Sequence, residues 1–360
     1  MKKIVVSKNE AGQKLLKLLA KYLNAAPQSF LHKMLRKKNI TLNGKKADGS
    51  ELLRETDEVC LFLSEETIAS FQGKNSGFTT IVEQKKTEKK PKELSEIQVV
   101  YEDEDILILN KPVGVLAQKA VRSDYSLNEW VIDYLMSTGT LTEEEMQTFR
   151  PGVCNRLDRN TSGLITAGKS LAGLQTLSAV FKARTVHKDY LCIVQGRVKG
   201  ASRLQGFLEK DDRTNKVRVE AKKRSEDDAY IETEYTPVVT NGNYTLLRVR
   251  LITGKTHQIR AHLASVGHPL LGDTKYGTPA ENRALRERFG LKYQLLHAAY
   301  LEFPQEMSGC KALAGKTFSA PVPKLFERIA KELGVYDRCM VGKEHKDGRM
   351  EFAGTARLRF

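Results

Sequence analysis

Residues 155–168 read Asn-Arg-Leu-Asp-Arg-Asn-Thr-Ser-Gly-Leu-Ile-Thr-Ala-Gly. A polar, charge-dense loop runs without a break into the apolar segment Leu164–Ala167, which has the character of a buried strand. A loop anchored in this way holds its side chains where chemistry can use them. Asp158 is the acidic residue of that loop, with Arg156 and Arg159 on either side. Neighbouring guanidinium groups favour an ionised carboxylate, which at neutral pH can act as a nucleophile. Spacing alone equally allows Asp158 to pair with Arg156 or Arg159 on a solvated turn.

The rest of the chain divides around this stretch. Its 360 residues are 40% hydrophobic, enough for two domains, or one domain with an appended module, with a packed core. The formal charge is +15, an excess that points to a polyanionic partner, nucleic acid first. The five cysteines, at 60, 154, 192, 310 and 339, form no CxxC pair. Neither a disulfide framework nor a zinc site is signalled, as expected of a reducing compartment. Cys154, close to Asp158, reads as a small apolar filler. No apolar run approaches a membrane span and no signal-peptide pattern opens the chain, so a cytoplasmic protein is expected.

Residues 1–63 form a first unit. A short strand at Ile4–Val6, a leucine-striped helix over Gln13–Leu23 and a helix opened by Pro27 lead to Ile40–Leu42 and the Asn43-Gly44 hairpin turn. A strand at Leu61–Leu63 closes it. The unit holds 13 Lys plus Arg against 6 Asp plus Glu. Lys33, Arg36, Lys37 and Lys38 lie on and just after the second helix, and Lys45 and Lys46 on the hairpin. Such a surface can track a phosphate backbone. Residues 64–95, with Lys85, Lys86, Lys89, Lys90, Pro91 and Lys92, read as a basic flexible linker.

Residues 96–333 form the large domain. Strands are expected at Val99–Tyr101, Ile106–Leu109, Leu164–Ala167, Tyr190–Gln195, Ile231–Thr236, Tyr244–Leu251 and Leu295–Phe303. Helices are expected over Leu127–Met136, Leu171–Phe181, Thr253–Ala264 and Leu325–Leu333. Residues 201–228 read as an exposed hairpin or loop, with Lys210–Arg213 and Lys222–Arg224 at its ends. Residues 334–360 read as an extension with little apolar pattern. The interleaving implies an α+β fold, a mixed, largely antiparallel central sheet with flanking helices, plus the small N-terminal α/β module.

Several motifs carry a family resemblance. Arg156-Leu157-Asp158 followed by Thr161-Ser162-Gly163-Leu164 resembles the catalytic signature of the RluA family of RNA pseudouridine synthases. In family order come Glu102-Asp103 with Asn110-Lys111-Pro112-Val113-Gly114, then Lys188-Asp189-Tyr190, then Thr253 through Leu263. Gly267-His268-Pro269-Leu270, Gly272-Asp273, Tyr276-Gly277, Leu296-His297-Ala298 and Ala320-Pro321-Val322-Pro323 extend the set. It spans roughly residues 97 to 325. The N-terminal unit resembles the small RNA-binding module named after the ribosomal small-subunit protein S-four.

The resemblance implies the pseudouridine synthase fold and conversion of uridine to pseudouridine without cofactor or metal. It implies catalytic roles for Asp158, for Tyr190 stacked on the uracil, and for Arg260 paired with Asp158. It further implies substrate contacts from Arg156, Leu157, Lys255, Gln258 and Leu296, and from His257, which reads as a phosphate-binding or structural residue. On a helix, His257 and Arg260 share a face, and the amides of Thr253–Thr256 at its start, with Lys255, suit an RNA phosphate. His257 and His262 are five apart, not the four that put two zinc ligands on one helical face. His268 and His297 read as structural. Asn155 departs from the histidine usual in the family; either side chain can bond a nearby backbone group, so the loop geometry is expected to hold.

The expected partner is RNA, ribosomal RNA or a ribosomal precursor particle, bound by a monomer. Transfer RNA as substrate and a non-catalytic RNA-binding or ribosome-assembly factor remain alternatives. A methyltransferase would need a strand-linked glycine-rich cofactor loop, which is missing here.

Overall fold

The computed structural model describes residues 1–72, 92–211, 216–340, 343–344 and 350–351. The N-terminal unit is a four-stranded antiparallel sheet of β1 (Lys2–Val5), β2 (Ile40–Leu42), β3 (Lys45–Lys46) and β4 (Glu58–Leu61), in the order β1-β4-β2-β3. Two helices cover it, α1 (Leu15–Tyr22) and α2 (Gln28–Arg36). Leu15, Leu18 and Leu19 of α1 meet Leu31, Met34 and Leu35 of α2 over Ile40, Val59 and Leu61, so the leucine stripe becomes one shared core. Asn43 and Gly44 both take positive φ, 51° and 71°, the backbone that a two-residue hairpin turn requires.

The linker expectation is corrected at both ends. Residues Glu65–Phe71 form α3, capped by Ser64 and fastened to the module by buried Ile68 and by Phe71, whose ring packs on Phe30 at 4.4 Å. Residues Lys92–Glu96 form a 3-10 turn that buries Leu94 in the large domain. Lys85, Lys86, Lys89, Lys90 and Pro91 lie outside the described residues.

In the large domain the main sheet path runs β11-β10-β12-β13-β9-β14-β8-β6-β5. Its members are β5 (Gln98–Glu102), β6 (Ile106–Lys111), β8 (Ser162–Gly168), β9 (His187–Gln195), β10 (Ser202–Asp211), β11 (Lys216–Glu220), β12 (Ala229–Thr240), β13 (Tyr244–Leu251) and β14 (Leu296–Glu302). The short β7 (Gly152–Val153) pairs with β8, and β15 (Thr317–Ser319) with β14. Only the β14–β8 pairing is parallel among the described residues. Because β6 is apolar without alternation, it is buried on both faces. Leu107 and Leu109 pack with α4 (Leu127–Ser137), whereas Ile106 and Ile108 pack with Leu177 of α5 (Leu171–Lys182).

The same division holds at β9. Leu191 and Ile193 pack with α8 (Lys324–Glu332) through Phe326 and Ile329. Tyr190, Cys192 and Val194 face α6 (Gln258–Ser265) through Ile259 and Leu263. Val335 and Met340 are buried in the α8 core, so the large domain extends beyond residue 333, and most of the remaining tail lies outside the described residues.

Two other expectations change. The 201–228 segment is a hairpin, but not merely an exposed one: Leu208 of β10 and Val217 of β11 pack with Ala261 of α6. Arg213 lies outside the described residues. A helix unrecognised in the sequence, α7 (Pro279–Phe289), follows α6 and buries Leu285 and Phe289. Among the described residues, no helix is long and apolar enough to cross a membrane.

Candidate active site

The loop after β7 carries Asp158. Asn155 ties it to β8: its Oδ1 accepts from Thr166 N at 2.7 Å and its Nδ2 donates to Leu164 O at 3.3 Å. The expected loop geometry therefore holds without histidine at this position. Thr161 N donates to Asp158 O at 3.0 Å, closing the turn. Gly163 follows with φ +113°, and any Cβ there would strike the backbone of Ala298. Glycine thus lets β8 approach β14 at the foot of the loop. Cys154 is half-buried, its thiol pushed up to about 12 chiefly by burial, which suits a filler and not a nucleophile.

A lysine unassigned in the sequence stiffens the loop. Lys111, at the end of β6, is fully buried. Its ammonium donates to the carbonyls of Pro112, Val115 and Arg159 at 2.9, 2.8 and 3.1 Å. Burial holds its pKa down to about 7, with Asp158 pulling the other way. Gly114 N also donates to Arg159 O, at 2.9 Å. The turn after β6 is thereby stapled to the residue next to Asp158.

Asp158 pairs with neither Arg156 nor Arg159, both of which are exposed. Its partner is Arg260, whose Nη1 donates to Asp158 Oδ2 at 3.0 Å. The Asp158 side chain is 28% exposed, against 6% for Arg260, so the carboxylate sits where a buried guanidinium meets an opening. Arg260 is itself aimed by Asp273, which accepts from Nε at 2.7 Å and from Nη2 at 2.9 Å. This bidentate fork fixes the guanidinium plane. The Asp273 side chain is fully buried. Burial acts to raise its pKa, but the Arg260 bonds and the amides of Lys275 and Tyr276 outweigh it and hold the carboxyl below the ordinary range.

The turn bearing Asp273 depends on α7. Asn282 accepts from Gly272 N at 3.0 Å and donates to Asp273 O at 2.7 Å. Gly272 takes φ +78°, and a Cβ there would run into Tyr293 O.

The helix expected over Thr253–Ala264 begins five residues late. Gln258 explains the delay. Its Oε1 accepts from Thr253 Oγ1 at 2.8 Å and Lys255 N at 3.1 Å, and its Nε2 donates to Glu232 O and Thr233 Oγ1, both at 2.9 Å. These bonds fold residues 253–257 into a turn, and His257 leaves it in the left-handed region at φ 56°. Gln258 is therefore a buried brace with its polar atoms committed, which corrects its expected contact with substrate. The expected row of free amides is corrected as well, because those of Thr253 and Lys255 are committed to Glu232 O and Gln258 Oε1.

His257 still reaches the site. Its Nε2 lies 3.9 Å from Asp158 Oδ2, and its Nδ1 lies 3.1 Å from the Tyr276 hydroxyl. That hydroxyl accepts from Val217 N at 2.9 Å, leaving its proton for Nδ1 and the Nε2 proton facing Asp158. Burial keeps the imidazole below its usual pKa despite Asp158, so it is neutral at pH 7.

Tyr190, Leu157 and Leu296 form the buried apolar wall, with Ile259 and Ala298. Burial, and after it the charge of Asp158, raise the Tyr190 phenol, so it stays protonated near neutrality. Lys255 is exposed on the turn that precedes α6. His268 bonds Gln195 O at 3.1 Å, and buried His297 bridges Ser162 and Ala320 O at 2.9 and 3.0 Å, both structural as expected.

The sequence pattern of the RNA pseudouridylate synthase family matches residues 105–265. Ribosomal large subunit pseudouridine synthase C of Escherichia coli (strain K12) is 30% identical over 327 residues, which is 86% of this chain and 90% of that protein. The chain belongs to the RNA pseudouridylate synthase family. The protein of the same name from Haemophilus influenzae is 30% identical over 323 residues, 86% of this chain and 89% of its own length. Human RNA pseudouridylate synthase domain containing 4 shares the fold, with a TM-score of 0.54 at 20% identity, over 72% of this chain and 98% of that one. This pseudouridine synthase of the RluA type brings Asp158, Arg260, Tyr190, His257, Leu157 and Leu296 to one place. Gln258 stands behind it. Asp273, Tyr276 and Lys111 belong to it too, although each drew notice in the sequence only within a motif, if at all.

Proposed function

We propose that this enzyme isomerises specific uridines of large-subunit ribosomal RNA, with Asp158 acting at the ribose of a flipped nucleotide. The observation that carries the reading is the Asp273–Arg260–Asp158 line at the edge of an apolar wall. A stacked base must leave the helix to reach such a wall. The bond from the ribose to nitrogen 1 of uracil breaks, the base turns over, and carbon 5 joins the anomeric carbon; the carbon 5 proton is given up to solvent and nitrogen 1 takes one from it, so the change is a net isomerisation. Arg260 orients the carboxylate through its Nη1 bond to Oδ2. Tyr190, as a neutral phenol, offers a face for the uracil. The N-terminal module supports a structured RNA substrate, and the names of the bacterial relatives favour the large ribosomal subunit over transfer RNA. The reading carries with it a cytoplasmic place of work.

Pseudouridine mapping in RNA from cells with and without the gene tests this. One or more large-subunit sites should disappear with the gene; an unchanged map would refute the assignment, and loss confined to transfer RNA would move the substrate.

The module is proposed as an RNA-binding surface because Lys33, Arg36, Lys37, Lys38, Lys45 and Lys46 are all exposed. No carboxylate among the described residues pairs with them. Changing Lys33, Arg36, Lys37 and Lys38 together to glutamine in the full chain should flatten the salt dependence of RNA binding by about one log-log unit for each phosphate no longer neutralised. An unchanged slope in a filter-binding titration would remove the module from the interface.

A further inference from the structure

We infer that Lys188 grips a backbone phosphate of the bound RNA at the mouth of the cleft, against the turn at residues 253–256. The inference rests on the pseudouridine synthase reading and adds to it a binding site for one phosphodiester.

Direction is the first support. Side chains alternate along a strand, and on β9 Tyr190, Cys192 and Val194 take the face toward α6. Lys188 stands two residues before Tyr190 and takes the same face. Its ammonium reaches the turn: a Cβ built on Gly254 would lie 3.5 Å from Lys188 Nζ. Lys255, exposed, is the next residue of that turn. Two strand residues span about 7 Å, comparable with the reach from a nucleobase to its own phosphate. A uracil against Tyr190 therefore brings a phosphate to Lys188.

Charge is the second. Lys188 is half-buried, and among the described residues no carboxylate lies within ion-pair distance of it. Its sequence neighbour Asp189 faces the other side of the sheet. There Asp189 accepts from Arg248 Nε at 2.9 Å and from Arg250 Nε at 2.9 Å. Burial and then the nearby Arg184 lower the pKa of Lys188. An ammonium partly stripped of water, facing another cation and lacking an anion, is poorly satisfied in the free protein. A phosphodiester supplies the missing charge, and Gly254 leaves room for it by having no side chain.

The test uses the full chain and in-vitro transcribed large-subunit ribosomal RNA. Lys188→Gln should raise KM about tenfold, leave kcat within about twofold, and make the log-log salt slope of binding shallower by about one. Lys188→Arg should restore most of the affinity, since only a cation is needed. Gly254→Asp, which sets a carboxylate beside the amine, should weaken binding without touching Lys188, and it carries the test if the glutamine variant does not fold. Wild-type KM and salt slope in both K188Q and G254D would overturn the inference. So would a fall in kcat alone that Lys188→Arg does not rescue, the mark of a structural or chemical role. Failure of the wild-type chain to form pseudouridine in any RNA is a separate result, which removes the function reading itself and the inference with it.

Discussion

Asp158→Asn yields no detectable pseudouridine, a loss of at least about a thousandfold in turnover, while RNA affinity stays within a few-fold of wild type. Asparagine keeps the shape of the side chain and can still accept from Arg260 Nη1, now at 3.0 Å. It cannot carry the negative charge that the proposed chemistry at the ribose needs. The guanidinium retains Asp273 as a charged partner, so the fold survives. Removing an anion from a surface that a polyanion approaches does not weaken binding. The measurement is single-turnover product formation alongside a filter-binding titration on the same RNA. Equal product from wild type and variant would end the assignment of Asp158.

Asp273→Ala costs about 3 kcal/mol or more of stability, because it takes the charged partner from a buried guanidinium. Asp158 alone then holds Arg260, through one bond to the partly exposed carboxylate. The plane set by the bidentate fork is lost, so turnover falls together with stability. Asp273 also caps the amides of Lys275 and Tyr276, and without it the turn beneath α7 loosens. Its native pKa lies below the ordinary carboxylate value. The stabilisation is therefore complete above the unfolded pKa of about 3.9 and fades as the pH drops through the lower native one. Urea melts of both proteins at neutral pH decide the matter. A midpoint unchanged in the alanine variant, with wild-type turnover, would show that Arg260 needs no second carboxylate.

Much of the architecture was legible in short-range pattern. The apolar runs of β6 and β8, the Asn43-Gly44 turn and the leucine stripe of α1 each carry their conformation locally, and the structure has them there. Elements with a thin apolar signal were read wrongly or missed. Helix α3 offers only Ile68 and Phe71 to the core, and α7 only Leu285 and Phe289, so neither stands out from a charged background. The delayed start of α6 escaped notice because helical periodicity does not reveal that the Gln258 amide holds Thr253 and Lys255 in a turn.

The chain order of residues was enough to single out Asp158, Tyr190 and Arg260, since a polar loop entering a buried strand and an ordered run of motifs are written in one dimension. Which carboxylate faces which cation was decided only when the strands took their places in the sheet. Arg260 lies 102 residues from Asp158 and 13 from Asp273, and no periodicity relates them. Lys188 and Asp189 are neighbours in the chain, yet the pleat sends them to opposite faces, one toward the Gly254 turn with no carboxylate in ion-pair reach among the described residues and the other to two arginines. Burial has a local signature because it follows from the repeat of the backbone; charge pairing has none because it depends on which segments the packed core brings side by side.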